Sequence, residues 1–598
     1  MNDVVLGIDL GTSNSVVSVM LENESIVIPD DRGNRIHPSI VYFFEDGQTV
    51  VGNDAMPYML KDPSHTVYSA KRLIGRPFDS PDLRVLIGSF PFKIIASGDG
   101  APRISMYGSM HAPESISARV LLYLKQLAEK YLGMPIGKAV ITVPANFDEG
   151  QRRATKRAGE LAGLDVLRLI NEPTAAALAY GHGSSKREKV AIYDFGGGTF
   201  DITILELRQN VYQVLSTAGN SYLGGDDFDN RLVQSMLTAF EKQYGYDLAG
   251  EDAIIQRLKS VAQTIKHRLS DQDLVTARVS EMVPGTLTEL ELEFSLTRDA
   301  FNKRCSDIVE TSLATCEEAM QLAGLQRAEL DHLVLVGGTT RVPLVQRRVR
   351  EFFGREPVHG VNPDEVVSVG AAIFGASILE PVDAPTSNFA PPSVSADYAE
   401  HLEDESWLEE LEDDEPTSRQ SIGQPVGYEP PHSPPSLPSH HAAPHASPQY
   451  HQAPPQYPQA PQRQAAPLLI DVTPHALGIA TVGGVMDIII ERNGSLPLAR
   501  TRLFSTSRDN QTRVVLPIYS GNSRRIEENR QLGSLEMVDI PPGPREECQI
   551  EVAFEVDTNG MLSVRATDMR TGQNTAARIS ILGEAQGNYY DASNLLMG

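Results

Sequence analysis

The sequence has very little cysteine. Three cysteines occur among 598 residues, at Cys305, Cys316 and Cys548. None of them stands in a CxxC or other metal-like spacing, which excludes a disulfide framework and a structural zinc site as organising features. A reducing compartment is therefore expected. At roughly 150 residues per domain, the length leaves room for about four domains, each with a substantial core.

Long apolar runs are also missing. No run of eighteen apolar residues occurs, so no membrane-spanning helix and no membrane partner are expected. The first residues, MNDVVLGIDLGTSNS, lack the basic start of a signal peptide, and Asp3 and Asp9 interrupt their apolar stretch. The sequence therefore predicts a soluble, cytoplasmic protein.

Basic residues are in deficit. The chain carries 52 Lys and Arg against 78 Asp and Glu, a net charge of −26. Proteins grip a phosphate backbone with Lys and Arg, so this balance argues against nucleic acid as the main partner.

Composition divides the chain into four parts. Residues 1–380 alternate between strand and helix patterns, whereas 381–466 hold 17 of the 40 prolines and 13 acidic residues against two arginines. Such a segment buries too little apolar surface to offset its ordering entropy, so we predict a disordered acidic, Pro/His/Gln-rich linker. Short strands then predict a β-sandwich over 467–583, including a hairpin with an Asn559-Gly560 turn. Residues 584–598 form a tail too short for a domain.

The predicted linker contains the only tryptophan, Trp407, in the segment EHLEDESWLEELEDDE. Its leucines stand near helical spacing within strong negative charge. A solvated acidic coil is one interpretation. The other is a short helix that docks on a partner or on the β-sandwich of the same chain.

Two glycine-rich turns of similar design stand far apart in the first part. VLGIDLGTSNSVV joins two strands after Asp9, and VAIYDFGGGTFDITI repeats the pattern after Asp194. Glycine lets backbone N–H groups approach phosphate oxygens, and the carboxylates suit a hydrated Mg²⁺. One such turn alone is often just a tight hairpin. Two turns, each following an aspartate, predict two lobes that hold a phosphate-bearing ligand between them.

At this point the chain resembles the 70-kDa heat-shock chaperone family, especially its bacterial DnaK-like members. GIDLGTSNS, AKRLIGR, INEPTAAALAYG, YDFGGGTFD, LGGDDFDNRL and LVLVGGTTRVP occur in the family's order, and the likeness resumes at LLIDVTPHALGI. The resemblance implies an actin-like, two-lobed α/β ATPase domain, a C-terminal β-sandwich that binds peptides, and the cofactors ATP or ADP, Mg²⁺ and K⁺.

The resemblance also assigns residues around the nucleotide. It implies that Lys71, Glu172, Asp194 and Thr199 are catalytic, and that metal ions are held near Asp9, Asp194 and Asp201. The implied nucleotide-binding residues are Gly11, Thr12, Ser13, Asn14, Gly196, Gly197, Gly198, Thr199, Gly225, Gln263, Lys266, Ser270, Gly337, Gly338, Thr339, Arg341 and Asp364. Taken alone, Lys71 reads as a solvated helix lysine. Gln263 departs from the family's Glu, and an amide accepts two ribose hydroxyls less well than a carboxylate.

Further matches concern the peptide and the coupling between domains. The implied peptide-pocket residues are Ile479, Val482, Phe504, Val514, Leu516 and Ile550, although pattern alone would assign each to a core. The implied coupling residues are Pro144, Arg152, Leu468, Leu469, Ile470 and Asp471. Arg168 and Asp471 match positions used toward J-domain cochaperones, whereas Asn146 replaces the family's usual aromatic residue beside that surface.

The resulting prediction is an ATP-hydrolysing chaperone that binds and releases apolar client peptides, helped by a J-domain cochaperone and a nucleotide-exchange factor. No counterpart of the family's helical lid is expected after the β-sandwich, so faster peptide exchange is expected. An alternative is a regulatory or scaffold protein that holds one dedicated partner in an ATP-dependent way. A small-molecule kinase is disfavoured, because it would not explain the peptide-site motifs.

Overall fold

The computed structural model describes residues 4–22, 24–181, 186–248, 250–280, 290–379, 467–481, 483–576 and 578–579. All of them belong to one unit of the chain. The predicted linker 381–466 with its Trp407, the predicted pocket residue Val482 and the predicted tail 584–598 lie outside the described residues.

The first lobe is built on a mixed sheet whose strand order is β12-β11-β1-β2-β3, with β4 pairing with β2. Its strands are β1 (Val5–Leu10), β2 (Asn14–Leu21), β3 (Glu24–Val27), β4 (His37–Pro38), β5 (Ile40–Phe43), β6 (Thr49–Val51), β7 (Thr66–Tyr68), β8 (Lys93–Ala96), β9 (Pro102–Met106), β10 (Ser109–His111), β11 (Lys138–Val143) and β12 (Asp165–Asn171). Its helices are α1 (Tyr58–Lys61), α2 (Pro81–Ile87), α3 (Pro113–Leu132), α4 (Glu149–Leu161) and α5 (Glu172–Gly181).

The second lobe repeats this design with the sheet order β18-β13-β14-β15. Its strands are β13 (Arg187–Phe195), β14 (Phe200–Arg208), β15 (Val211–Asn220), β16 (Leu274–Val279), β17 (Leu292–Thr297) and β18 (His332–Val336). Its helices are α6 (Gly225–Tyr244), α7 (Asp252–Asp271), α8 (Arg298–Ala323), α9 (Pro343–Phe353) and α10 (Val366–Leu379).

In each lobe an antiparallel hairpin, β1–β2 or β13–β14, is extended by a parallel strand, β11 or β18. Helices α5 and α10 pack together between the two sheets, and their alanines and valines form one buried cluster with residues from both sheets. Both helices are apolar nearly all round, as expected for helices buried between two layers. The lobes therefore present their two hairpin turns toward each other.

The C-terminal part is a β-sandwich of two sheets, ordered β21-β20-β23-β24-β28 and β22-β25-β26-β27. Its strands are β19 (Leu468–Ile470), β20 (Leu477–Thr481), β21 (Val485–Ile490), β22 (Leu498–Ser505), β23 (Val514–Ser520), β24 (Arg530–Met537), β25 (Gln549–Val556), β26 (Leu562–Asp568), β27 (Asn574–Ala576) and β28 (Arg578–Ile579). The predicted Asn559-Gly560 turn joins β25 to β26.

Strand β19 leaves the sandwich and joins the second lobe. It pairs in parallel with β15, with Leu468, Leu469 and Ile470 opposite Val211, Tyr212 and Gln213. The sheet that carries the second glycine-rich turn therefore extends, strand by strand, to the segment that precedes the sandwich.

In the described ranges, no helix combines the length and the apolar character that a bilayer crossing requires.

Candidate nucleotide site

The two glycine-rich turns meet in a cleft between the lobes. The first turn follows β1, and the second follows β13. A Cβ on Gly197 would lie 2.1 Å from the Oγ of Ser13, so the second turn approaches the first as closely as only glycine permits. The predicted residues that line this cleft are Asp9, Gly11, Thr12, Ser13, Asn14, Lys71, Glu172, Asp194, Gly196, Gly197, Thr199, Gly337, Gly338 and Asp364.

Lys71 stands in the buried wall of the cleft. It is 6 % exposed, and its Nζ donates to the carboxylate of Glu172 and to the Leu10 carbonyl, each at 2.5 Å. Sequence alone favours a solvated lysine at such a position, but the side chain is enclosed and ion-paired. A buried ammonium needs such partners to offset its loss of hydration.

Carboxylates crowd the same wall. Burial, reinforced by the charge of Glu172, raises the pKa of Asp9 to about 7 and that of Asp201 to about 8. Burial and neighbouring carboxylates also raise the pKa of Asp194 well above its ordinary value. The nearby Lys71 ammonium acts in the opposite direction in all three cases. The wall therefore holds more acidic groups than one lysine can balance.

This excess of carboxylates fits a cation. The buried Oδ1 of Asp201 has no hydrogen-bond partner. Among the described residues, no group of three or more His, Cys, Asp or Glu side chains is arranged to ligate a metal directly. Mg²⁺ commonly keeps several waters and takes few carboxylate ligands. Asp9, Asp194 and Asp201 would thus suit a hydrated Mg²⁺, which they would hold largely through its waters.

Arg72 is a cleft residue that sequence reasoning missed. It is buried, its Nη2 donates to the Gly198 carbonyl at 2.9 Å, and the same atom lies 3.5 Å from a carboxylate oxygen of Asp226. It thus links the first lobe to the second glycine-rich turn. The signal was its place beside Lys71 in AKRLIGR, but that motif does not reveal which lobe the arginine contacts.

Three other predicted nucleotide-binding residues, Thr339, Lys266 and Arg341, do not line the cleft but contact residues close to it. Thr339 donates to the Gly196 carbonyl at 2.8 Å, which ties a third element to the second turn. Lys266 is buried and donates to the Gly225 carbonyl at 3.0 Å and to Asp229 at 2.7 Å. Arg341, another of the predicted nucleotide-binding residues, is exposed and forms an ion pair with Asp364 at 2.5 Å.

Two further predicted residues, Ser270 and Gln263, lie on α7 together with Lys266. Ser270 is half-buried, and its hydroxyl donates to the Lys266 carbonyl at 3.4 Å, within its own helix. Gln263 is exposed. Neither of them lines the cleft as the structure has it, so their contribution to nucleotide binding stays a prediction.

The comparison with known families decides the identity. The sequence model of the family described as Hsp70 protein matches residues 5–389 and 459–591. The chain belongs to the Hsp70 family. Hsp70 proteins are ATP-dependent chaperones with ATPase activity that bind ATP or ADP with Mg²⁺. Their actin-like lobes and C-terminal β-rich domain correspond to the two regions described above.

In this Hsp70 chain, the predicted coupling residues lie together where the sandwich meets the lobes. Arg152 is buried on α4, and its guanidinium donates to the Asn171 side chain at 2.6 Å and to the Asn559 carbonyl at 3.2 Å. Asp471 accepts from Asn171 at 2.7 Å and from Thr174 at 3.3 Å. Pro144 is buried in the segment after β11. Arg152 and Asp471 therefore share Asn171 as a common partner.

The linker residues differ from one another in burial. Leu468 is 55 % exposed, whereas Leu469 packs against the buried cluster between the two lobe sheets. The two predicted coupling leucines are therefore not equivalent, because successive side chains of a strand point to opposite faces.

The predicted J-domain position Arg168 is engaged within the chain. Its Nη2 donates to the Thr558 carbonyl of the β25–β26 turn at 2.8 Å. A cochaperone that uses Arg168 would therefore compete with this turn of the sandwich.

The predicted peptide-pocket residues lie in the core of the sandwich. Ile479, Val514 and Ile550 are buried, and Phe504 and Leu516 pack partly buried against the same cluster. These positions are what core packing requires, so the peptide-binding role of the five stays a prediction.

Proposed function

We propose that this chain hydrolyses ATP in the interlobe cleft and couples the state of the nucleotide to binding and release of apolar client segments. The main support for this proposal comes from the contacts of the segment from Asn171 to Thr174. Glu172 faces the cleft and accepts from Lys71, while Asn171 and Thr174 on either side donate to Asp471 beside the linker strand. One short segment thus contacts both the cleft and the start of the sandwich.

A second physical connection runs through the sheet of the second lobe. The turn that contains Thr199 joins β13 to β14, and β14 pairs with β15, which pairs with the linker strand β19. A shift of the turn on nucleotide binding would alter the edge on which β19 is held. Sheets transmit such shifts because their strands are close-packed and hydrogen-bonded.

The chain's own residues supply positioning and charge for the reaction. We propose that Lys71 stabilises the negative charge that develops on the transferred phosphoryl group. Glu172 holds the Lys71 ammonium in place. The backbone N–H groups and hydroxyls of the two turns, including Thr199, orient the phosphates. Mg²⁺ would neutralise phosphate charge, with Asp9, Asp194 and Asp201 holding its waters. We extend the proposal to K⁺ as a second cation beside Asp194 and Asp201.

On the sandwich, we propose that the apolar residues around Phe504 receive one apolar side chain of an extended client peptide. The edge strand β22, which contains Phe504, has no neighbour on its outer side among the described residues. An unpaired strand edge offers backbone groups to an added strand, while alternate side chains give specificity. A J-domain cochaperone and an exchange factor complete the proposed cycle.

The test is ATP-driven peptide release from the full chain, followed by fluorescence anisotropy, in two linker variants. Leu469→Asp should abolish the acceleration by ATP, because a carboxylate cannot enter the apolar site that Leu469 occupies. Leu468→Asp is the matched control, since that side chain is 55 % exposed, and it should behave as wild type. Peptide release that is insensitive to ATP in the wild-type chain would refute the coupling and favour the scaffold alternative.

A further inference from the structure

The two sheets of the sandwich end side by side at one edge. Strand β21 is the last strand of one sheet and β22 is the last strand of the other. Among the described strands, β21 pairs only with β20, and β22 pairs only with β25, although Val485 at the start of β21 also forms an isolated bridge with Arg525. The start of β21 is therefore covered by the Arg524–Arg525 segment, whereas β22 has no strand partner on its outer side among the described residues.

The inward face of β22 has an unusual composition. Its register sets Arg500, Arg502 and Phe504 on the face that points toward the core. The residues opposite them on β25 are all buried: Phe554, Val552 and Ile550. Phe504 packs against that core, whereas both arginines are exposed. Two charged side chains thus occupy positions where strand alternation alone predicts apolar residues.

The Arg502 guanidinium spans the gap between the two edge strands, whereas the Arg500 guanidinium stays on β22. Arg502 donates from Nη1 to the Ile488 carbonyl of β21 at 3.0 Å, and the same atom lies 3.1 Å from a carboxylate oxygen of Asp487. Its side chain is still 49 % exposed. Arg500 donates only to the carbonyl of its neighbour Ala499, at 2.8 Å, among the contacts of the described residues. Arg500 is therefore the freer of the two cations.

We propose that Arg500 and Arg502 make this edge select client segments in which acidic residues flank the apolar anchor. This inference rests on the proposed peptide-binding function. A client strand that adds to β22 aligns its same-face side chains with those of β22. With its apolar anchor beside Phe504, its side chains two and four residues away lie beside Arg502 and Arg500. Client carboxylates at these two positions would lie beside the guanidinium groups. Planar guanidinium groups pair with carboxylates in bidentate geometry.

A competing explanation is that the arginines only protect the edge. Charged side chains on edge strands prevent sheets from pairing with one another. Protection needs only a charge and is indifferent to the sequence of a bound client. Selection instead predicts a preference that follows the sign and position of charges in the client, so the two explanations differ in a measurable way.

The experiment measures the affinity of the full chain for labelled peptides by fluorescence anisotropy. Each peptide has the same leucine-rich centre, with Glu, Gln or Lys in the flanks, placed on the N-terminal or the C-terminal side. We expect the best Glu peptide to bind about fivefold more tightly than the Gln peptide, because two exposed ion pairs contribute a free energy of that size. The Lys peptide should bind more weakly than the Gln peptide. The preference should shrink at high salt, which screens exposed charges.

Charge-removing variants separate the possibilities. Arg500→Gln combined with Arg502→Gln should erase the preference for Glu while leaving the binding of the Gln peptide nearly unchanged. Arg565→Gln on β26 is the matched control, because Arg565 is exposed on the other face of the same sheet. It should retain the preference. Equal binding of all peptides to the wild-type chain would overturn the inference and leave the proposed function intact. Binding of none of them would overturn both.

Discussion

The nucleotide cleft and the β-sandwich differ in the kind of side chains that they bury. In the cleft, a buried lysine, a glutamate and three aspartates converge from separate strands and helices, and one aspartate oxygen has no partner. In the sandwich, the predicted peptide residues join the apolar core that any sandwich needs. Buried polar groups require partners and so point to a ligand, whereas buried apolar groups require none.

The comparison also shows how the regions are joined. Several contacts between the sandwich and the lobes are made by polar side chains and backbone groups. Arg530 pairs with Asp148, and Leu562 N donates to Glu149 at 2.9 Å, both at the start of α4. Arg492 on the β21–β22 connection pairs with Glu318 of α8 at 2.5 Å. Polar contacts of this kind can exchange with water, which suits an interface that forms and breaks.

The largest expected effect tests the cleft. Lys71→Ala should retain ATP binding but hydrolyse ATP about 10²–10³-fold more slowly, because removal of one preorganised charge-stabilising donor typically has that effect. Single-turnover assays measure this step. Lys61→Ala, which removes an exposed lysine of α1, is the control and should match wild type. A Lys71→Ala rate within tenfold of wild type would contradict the assignment.

The next prediction concerns the docking of the sandwich on the two lobes. Docking of the sandwich on the lobes closes a loop that runs through the predicted linker. A linker of about 85 residues, in place of one of about 10, raises the entropic cost of closing that loop by about 2 kcal/mol. Deletion of residues 385–464 should therefore shift the docking equilibrium about thirtyfold toward the docked form. Limited proteolysis with and without ATP measures this shift. An unchanged pattern would contradict a flexible-linker account.

The smallest expected effect is a dependence of this docking on pH. His475 stands where the sandwich meets α4, and its buried Nδ1 has no hydrogen-bond partner. Burial lowers the pKa of His475, and the cations of Arg492 and Arg152 act in the same direction. The Asp148 carboxylate and a hydrogen bond to the Asn146 main chain oppose this shift.

The sign of the pH dependence follows from that lowered pKa. Undocking exposes the ring and returns its pKa toward about 6.5, so the undocked form binds a proton that the docked form resists. Docking should be fully favoured above about pH 6.5 and weaken severalfold as the pH falls below it. ATP-driven peptide release, measured from pH 7.5 to 5.5, should show this loss. His475→Gln should flatten the profile, and an identical profile in that variant would assign the pH dependence to other groups.

Much of the cleft could be predicted from the sequence because its requirements are local. Gly196 to Thr199 and Gly11 to Asn14 lie where their motifs indicate, since a turn that approaches phosphate needs glycine whatever surrounds it. Lys71 was recognised only through its motif, because its burial depends on Leu10 and Glu172, which are distant in sequence. Arg72 was missed for the same reason, as its partner Gly198 belongs to the other lobe.

The sequence by itself determined the two glycine-rich turns, the alternating strands of the sandwich and the apolar character of the linker strand, because each depends on neighbours in the chain. Only the tertiary structure decided that Leu469 is covered while Leu468 is not, and that Arg500 and Arg502 remain exposed on a face that alternation assigns to the core. The physical reason is that strand periodicity sets the face on which a side chain lies, whereas its burial depends on which other elements cover that face.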